Sequence, residues 1–214
     1  MSLGLGDFLR RFSLRRLFSR KREGFKLGIY GSPNAGKTTL ANAMARDYTG
    51  EVLGTVSEVP HETRRVLTKQ EIVMESPQGR LVVDVMDTPG LANRVDPLDF
   101  ELMYNMDPEA AARRAEEATQ GILEAIEMLQ TLDAMLLVLD ASTDPYSQVN
   151  QVLLTHVQSR RLPMLVVANK VDLPEADVGR IQKMFQRHPV VGVSGKTGQN
   201  LDKLYDELIR RFGA

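Results

Sequence analysis

The stretch GSPNAGKTTL, Gly31 to Leu40, constrains this chain more than any other. Its pattern, Gly-x4-Gly-Lys-Thr, asks for a tight turn in which successive backbone N–H groups converge on one point. Gly31 and Gly36 allow that backbone path, and an anion with several oxygens is the ligand that satisfies it. The flanks agree: GFKLGIY before the loop reads as a short buried strand, and KTTLANAMARDY after it has the spacing and residue types of a helix. A strand, a glycine-rich loop and a helix in that order make a phosphate site, because the helix adds the partial positive charge of its N-terminus. Gly31, Ser32, Asn34, Ala35, Gly36 and Thr39 are then candidates for loop contacts with phosphate. Lys37 is placed to reach the β and γ oxygens, and the Thr38 hydroxyl is a candidate ligand for Mg²⁺.

Further along, KQEIVMES and RLVVDVMD have strand patterning and are joined by the turn PQG, which predicts an antiparallel hairpin. DAMLLVLD, PMLVVANK and HPVVGVS read as fully buried strands, and helices are predicted near residues 108–130, 145–160, 175–187 and 199–212. Strands alternating with helices predict an α/β fold, a mainly parallel sheet covered on both faces. Such sheets bind ligands at the carboxyl ends of their strands. Four short motifs fall at those ends: the phosphate loop, DTPG (Asp87 to Gly90), NKVD (Asn169 to Asp172) and SGKTG (Ser194 to Gly198). Asp87 is a carboxylate suited to Mg²⁺ or its water shell, and Gly90 can present a backbone N–H to a terminal phosphate. Taken alone, DTPG is also an ordinary turn. NKVD is more specific: the Asp172 carboxylate can accept hydrogen bonds from N1–H and the exocyclic amine of guanine, which adenine cannot offer. Asn169 would brace this loop and Lys170 would lie along the base.

The ordered set GSPNAGKT, DTPG, NKVD and SGK resembles the guanine-nucleotide boxes of the translation-factor-related small GTPases, closest to the Era and TrmE group. The resemblance covers roughly residues 25–212. It implies a three-layer Ras-like P-loop fold with a six-stranded sheet and one antiparallel strand, and GTP or GDP bound with Mg²⁺. Ser194, Gly195 and Lys196 are the corresponding third guanine box. It also implies a molecular switch that hydrolyses GTP. In this group a switch threonine covers Mg²⁺ and the γ-phosphate; in HETRR, Glu62 stands where a first threonine would be and Thr63 matches the second, with Thr55 and Thr68 as alternatives. Lys37, Thr63 and Gly90 are accordingly the candidate catalytic residues. Ras-type enzymes place a glutamine after the DxxG glycine to orient water, whereas this chain has Leu91. Relatives with asparagine at the position of Asn34 bind K⁺ beside the phosphates; stabilising its own loop is the other role open to Asn34. Arg64 and Arg65 are alternative charge donors. Leu91 also motivates the contrary reading, a GTP-dependent binding module with negligible hydrolysis.

Charge divides the chain into an arm, residues 1–23, and a nucleotide domain, residues 24–214. The arm holds seven Arg/Lys and two acids, the remainder twenty and twenty-six. Leu5, Phe8, Leu9 and Phe12 share one helical face, while Leu14, Leu17 and Phe18 share a nearly opposite one, so the stripe breaks at Ser13. Such a segment suits an anionic membrane surface; ribosomal RNA and packing against this protein or a second copy are the alternatives. A nucleotide-dependent dimer is a further candidate partnership. No apolar run approaches the roughly 18 residues of a membrane span, and a secretory signal is not legible, so the expected location is cytoplasmic, peripheral at the inner face of the membrane. Cysteine is absent, which excludes disulfides and thiolate metal sites. His61, His156 and His188 are scattered and predict no metal cluster. These 214 residues leave no room for the KH domain of Era or the flanking domains of TrmE, an expectation of a stand-alone GTPase domain. Phe100, Leu102, Met103, Tyr104 and Met106 are expected on a loop beside the switch, either as a partner surface or packed back on the body.

Overall fold

A computed structural model describes residues 24–53, 67–88, 91 and 96–213. Strands β1 (Phe25–Tyr30), β2 (Leu67–Ser76), β3 (Gly79–Asp87), β4 (Ala134–Asp140), β5 (Met164–Asn169) and β6 (Val190–Gly192) form one sheet in the order β2-β3-β1-β4-β5-β6. Every neighbouring pair is parallel except β2 with β3. That pair is the hairpin expected at PQG, closed where Ser76 pairs with Gly79. Helices α1 (Lys37–Thr49), α2 (Pro97–Tyr104), α3 (Pro108–Met128), α4 (Gln148–Arg160), α5 (Val178–Met184) and α6 (Leu201–Phe212) complete the layers, with a 3-10 turn (Leu129–Thr131) after α3.

The period of two along the central strands sorts their side chains into two cores. Leu27, Ile29, Leu136, Val138, Leu165 and Val167 meet α1 and α6, whose Leu40, Met44, Leu204 and Leu208 lie in the same cluster. Their neighbours Tyr30, Met135, Leu137, Met164 and Val166 point to the other face, against Leu129, Leu153, Val157 and Phe185. All residues of β5 are buried, as a parallel strand covered on both faces requires. The Tyr30 hydroxyl donates to the Ala125 carbonyl at 3.0 Å, which satisfies a buried phenol and ties α3 to β1.

The segment after the DTPG motif differs from expectation. Residues 97–104 form a helix instead of a loop. Asp96 accepts a hydrogen bond from the Leu98 N–H at 2.9 Å, Pro97 occupies the first turn, and Asn105 ends the helix in a left-handed conformation with φ 52°. Each is a helix-boundary signal present in the sequence. Asp107 and Pro108 repeat the device at the start of α3, Asp107 accepting from the Ala110 N–H at 2.9 Å. Phe100 packs on Ala111 and Ala115 of α3, whereas Leu98, Leu102 and Tyr104 stay exposed. Packing back on the body is thus the outcome for Phe100, with Met106 against the same cluster. Helix α4 begins at Gln148, three residues later than expected, because Ser147 caps it. Among the described residues no helix is long and apolar enough to cross a membrane.

Candidate functional site

The carboxyl ends of β1, β3, β4, β5 and β6 lie along one edge of the sheet, and the sequence motifs meet there. Gly31 leaves β1 with φ 150°, and a Cβ there would stand 2.1 Å from the Val138 carbonyl oxygen. Only glycine fits a turn so close to a neighbouring backbone. Gly36 has φ 88° and would meet Asn169 Nδ2 at 2.2 Å if it carried a Cβ. Between them Asn34 is exposed in a left-handed conformation, φ 60°. Helix α1 follows without a side-chain cap, so its first N–H groups are aimed at the loop as a ready anion site.

Lys37 is buried, and its Nζ donates to the Ser32 carbonyl at 3.0 Å. Burial pushes its ammonium down to about 8, with the Asp87 carboxylate partly opposing that shift. Thr38 Oγ1 donates to Asp87 Oδ2 at 2.6 Å. Burial raises Asp87 above the usual carboxylate range despite the Thr38 hydrogen bond and the Lys37 charge. Its second oxygen, Oδ1, is buried with no hydrogen-bond partner. A buried carboxylate oxygen without a partner beside a hydroxyl is a hard-oxygen donor pair of the kind Mg²⁺ takes, and a buried ammonium at a helix N-terminus asks for an anion. The residues therefore fit magnesium and a polyphosphate together. Thr88 holds this arrangement in register: its N–H and hydroxyl both donate to the Ile29 carbonyl, at 3.3 and 2.6 Å.

Asn169, only 2% exposed, joins three motifs. Its Nδ2 donates to the Ala35 carbonyl at 2.8 Å, and its Oδ1 accepts from the Gly195 N–H at 2.9 Å. Ser194 is fully buried, and its Oγ accepts from the Thr197 N–H at 3.0 Å, which closes the SGKTG turn. Asp172 and Lys196 are exposed on the two loops that this bridge holds, as groups meeting the rim of a flat base should be. Lys170 has φ 66°, and its ammonium donates to Asp140 Oδ2 at 2.7 Å. Asp140 also accepts from the Ser142 N–H and hydroxyl at 2.9 and 2.6 Å. Burial raises its pKa, but the bonds to Lys170 and Ser142 outweigh that and hold the carboxyl below its usual range. The sequence reading missed Asp140. The available signal was a polar residue closing an apolar strand, a position it shares with Asn169 at the end of β5.

Leu91 donates its N–H to the Gly31 carbonyl at 3.1 Å, and its side chain is buried in the cluster with Tyr30 and Leu129. It is a core residue at the mouth of the site. Thr68, one alternative switch threonine, lies in the β2 ladder opposite Met86. Thr63, Thr55, Gly90, Arg64, Arg65 and His61 lie outside the described residues, as does the arm. Among the described residues no group of three or more His, Cys, Asp or Glu is arranged to hold a metal.

Known proteins supply an independent comparison. The sequence profile of the family described as 50S ribosome-binding GTPase matches residues 26–170. The tRNA modification GTPase MnmE of Methylococcus capsulatus is 31% identical over 192 residues, which is 90% of this chain and 35% of that protein. MnmE of Heliobacterium modesticaldum is 30% identical over 97% of this chain and 38% of its own length. GTPase Der of Clostridium acetobutylicum is 26% identical over 96% of this chain and 44% of its own. The chain thus spans less than half the length of these relatives. Among solved structures, a variant of Aquifex aeolicus Era bound to GDP and AlF4⁻ superposes with TM-score 0.59 at 23% identity, covering 89% of this chain and 57% of that one. Era in complex with MgGDPNP and a segment of 16S ribosomal RNA gives 0.60 at 21%, with the same coverage. At that identity the likeness establishes the Ras-like P-loop fold. With the candidate phosphate, magnesium and guanine residues converging on one sheet edge and a family profile covering residues 26–170, the protein belongs to this GTPase family.

Proposed function

We propose that this chain is a nucleotide-controlled switch in which GTP hydrolysis is assisted by K⁺ held at Asn34. The observation that carries the reading is geometric: the buried Lys37 ammonium rests on the Ser32 carbonyl at the start of α1 while Asp87 Oδ1, beside the Thr38 hydroxyl, is buried with no hydrogen-bond partner, a cation and an oxygen donor pair suited to a polyphosphate with Mg²⁺. Thr38 and Asp87 would hold Mg²⁺, which supplies charge neutralisation across the phosphate oxygens. Lys37 and the N–H groups from Gly31 to Thr39 take the phosphate charge. Asp172 selects guanine, Lys170 lies along the base, and Asn169 with Ser194, Gly195 and Lys196 fixes the loops that hold it. Thr63 and Gly90 are proposed to sense the γ-phosphate, so that their ordering reports its presence to a partner.

Water activation needs a source other than the residue after the DxxG glycine, because Leu91 is apolar and packed in the core. Asn34 is exposed at the tip of the phosphate loop, where its side-chain oxygen could hold a monovalent cation beside the phosphates. Such a charge acts on the transition state as an arginine finger does. The test is multiple-turnover hydrolysis by the purified chain in K⁺ and in Na⁺. Faster turnover in K⁺, lost in Asn34→Ala, is expected; equal rates in the two salts remove the Asn34 assignment. Turnover absent in both would favour a binding module whose bound state is itself the function. Residues 1–23 are proposed to meet an anionic lipid surface, since their large apolar residues find a use there that RNA phosphates do not offer. Co-sedimentation with anionic liposomes, with and without these residues, tests it.

A further inference from the structure

The hairpin of α2 and α3 carries a surface that the nucleotide site does not use. Leu98 and Leu102 stand one turn apart on α2, 61% and 84% exposed, on the side away from Phe100 and its contact with α3. Leu123, further down α3, is 52% exposed. Large apolar groups left to water around one element mark a docking surface more often than scattered ones do. The charge around them says what can dock. Residues 96–128 hold nine carboxylates and two arginines, and both arginines are already engaged, Arg113 with Glu109 and Arg114 with Glu117, each at 2.7 Å. This field repels lipid headgroups and RNA phosphates. It accepts a segment that is both basic and apolar.

The chain itself contains one. Residues 1–23 hold seven Arg/Lys against two acids, with Leu5, Phe8, Leu9, Phe12, Leu14, Leu17 and Phe18 among them. Their point of attachment is also suitable. The Lys26 N–H donates to Asp133 Oδ2 at 2.8 Å, and the Asp133 N–H donates to the Lys26 carbonyl at 3.0 Å. Asp133 lies just beyond the 3-10 turn that ends α3, so β1 begins beside the C-terminal end of that helix. From there α3 leads back about 31 Å to α2, and a 23-residue segment spans about 35 Å as helix and more when extended. We infer that residues 1–23 dock in cis on the α2–α3 hairpin, their Leu and Phe side chains on Leu98, Leu102 and Leu123 and their arginines on the hairpin carboxylates. Helix α2, on which the arm docks, follows in the chain shortly after Leu91, whose N–H is bonded to the phosphate loop at Gly31. Docking competes with any anionic surface for the same basic residues, and it does not depend on how GTP is hydrolysed.

The chain has no tryptophan, so Phe12→Trp in the full chain gives a single indole reporter. Without lipid, its emission is expected to be blue-shifted and shielded from acrylamide at every protein concentration. Both effects are expected to be lost in Leu102→Asp and reduced in Glu116→Lys. These positions are exposed, and unchanged circular dichroism and GDP affinity will show that the fold and the nucleotide site are intact. An indole that is fully quenchable in the parent, or whose shielding is insensitive to Leu102→Asp, overturns the inference. So does shielding that grows with protein concentration, which would mean docking on a second copy, or shielding seen only with phosphatidylglycerol vesicles, which would leave lipid as the arm's sole occupant.

Discussion

In the proposed site, Asp140 and Asp172 serve the guanine side through different chemistry. Asp172 is exposed and free to meet a base edge, whereas Asp140 is largely covered and acts through Lys170. Asp172→Asn should weaken GTP binding and relax the rejection of xanthine nucleotides, since the amide offers a donor where guanine also donates. Competition of GTP and XTP against a fluorescent nucleotide reads this directly, and unchanged GTP affinity would remove Asp172 from the site. Asp140→Ala should lower nucleotide affinity by about tenfold, the loss of about 1.4 kcal/mol, because a hydrogen bond between charged groups no longer fixes Lys170. A pH dependence goes with it. The folded carboxyl of Asp140 titrates below its unfolded value, so its contribution to stability is present above the usual aspartate range and is lost as pH falls through the folded pKa. Asp140→Asn should therefore flatten the acid limb of the urea-denaturation profile.

At the scale of elements, the β2–β3 hairpin contains a device of its own. Pairing slips between Lys69 and Ile72, and Glu71 at the slip has φ 57°. The Glu71 N–H, displaced from the ladder, donates to Asp84 Oδ1 at 2.9 Å. A bulge with a left-handed residue that is not glycine stores about 1–2 kcal/mol, retained because a neighbour satisfies the backbone. Glu71→Gly should stabilise the domain by about 0.5–1 kcal/mol, and Asp84→Ala should destabilise it by about 1 kcal/mol by removing the partner of that part-buried N–H. Urea unfolding with unchanged slope would measure both; a neutral Asp84→Ala would show that water replaces the carboxylate. None of this was legible in KQEIVMES, where a bulge leaves no mark on the alternation strong enough to read. Helix α2, expected as a loop, carried boundary signals in Asp96, Pro97 and Asn105 that went unread because eight residues are too few for a hydrophobic period to show.

The molecule as a whole is stabilised by a ligand that its sequence announces. With Mg²⁺ and GDP at 100 times the dissociation constant, stability should rise by about 2.7 kcal/mol, which moves the melting temperature up by about 5–10 °C for a domain of this size. EDTA should remove much of the shift and ADP should produce none; an equal shift with ADP would contradict guanine selection. Local chemistry was enough to specify the phosphate loop, the six strands and most of the helices, because glycine-dependent turns and hydrophobic period are properties of neighbouring residues. The tertiary structure decided the rest. It brought Asn169 onto the Ala35 carbonyl, 134 positions away, paired Lys170 with Asp140, left Asp87 Oδ1 without a partner and put Leu91 in the core. Each depends on which strands lie side by side and how deeply a charge is buried, and sequence spacing carries neither.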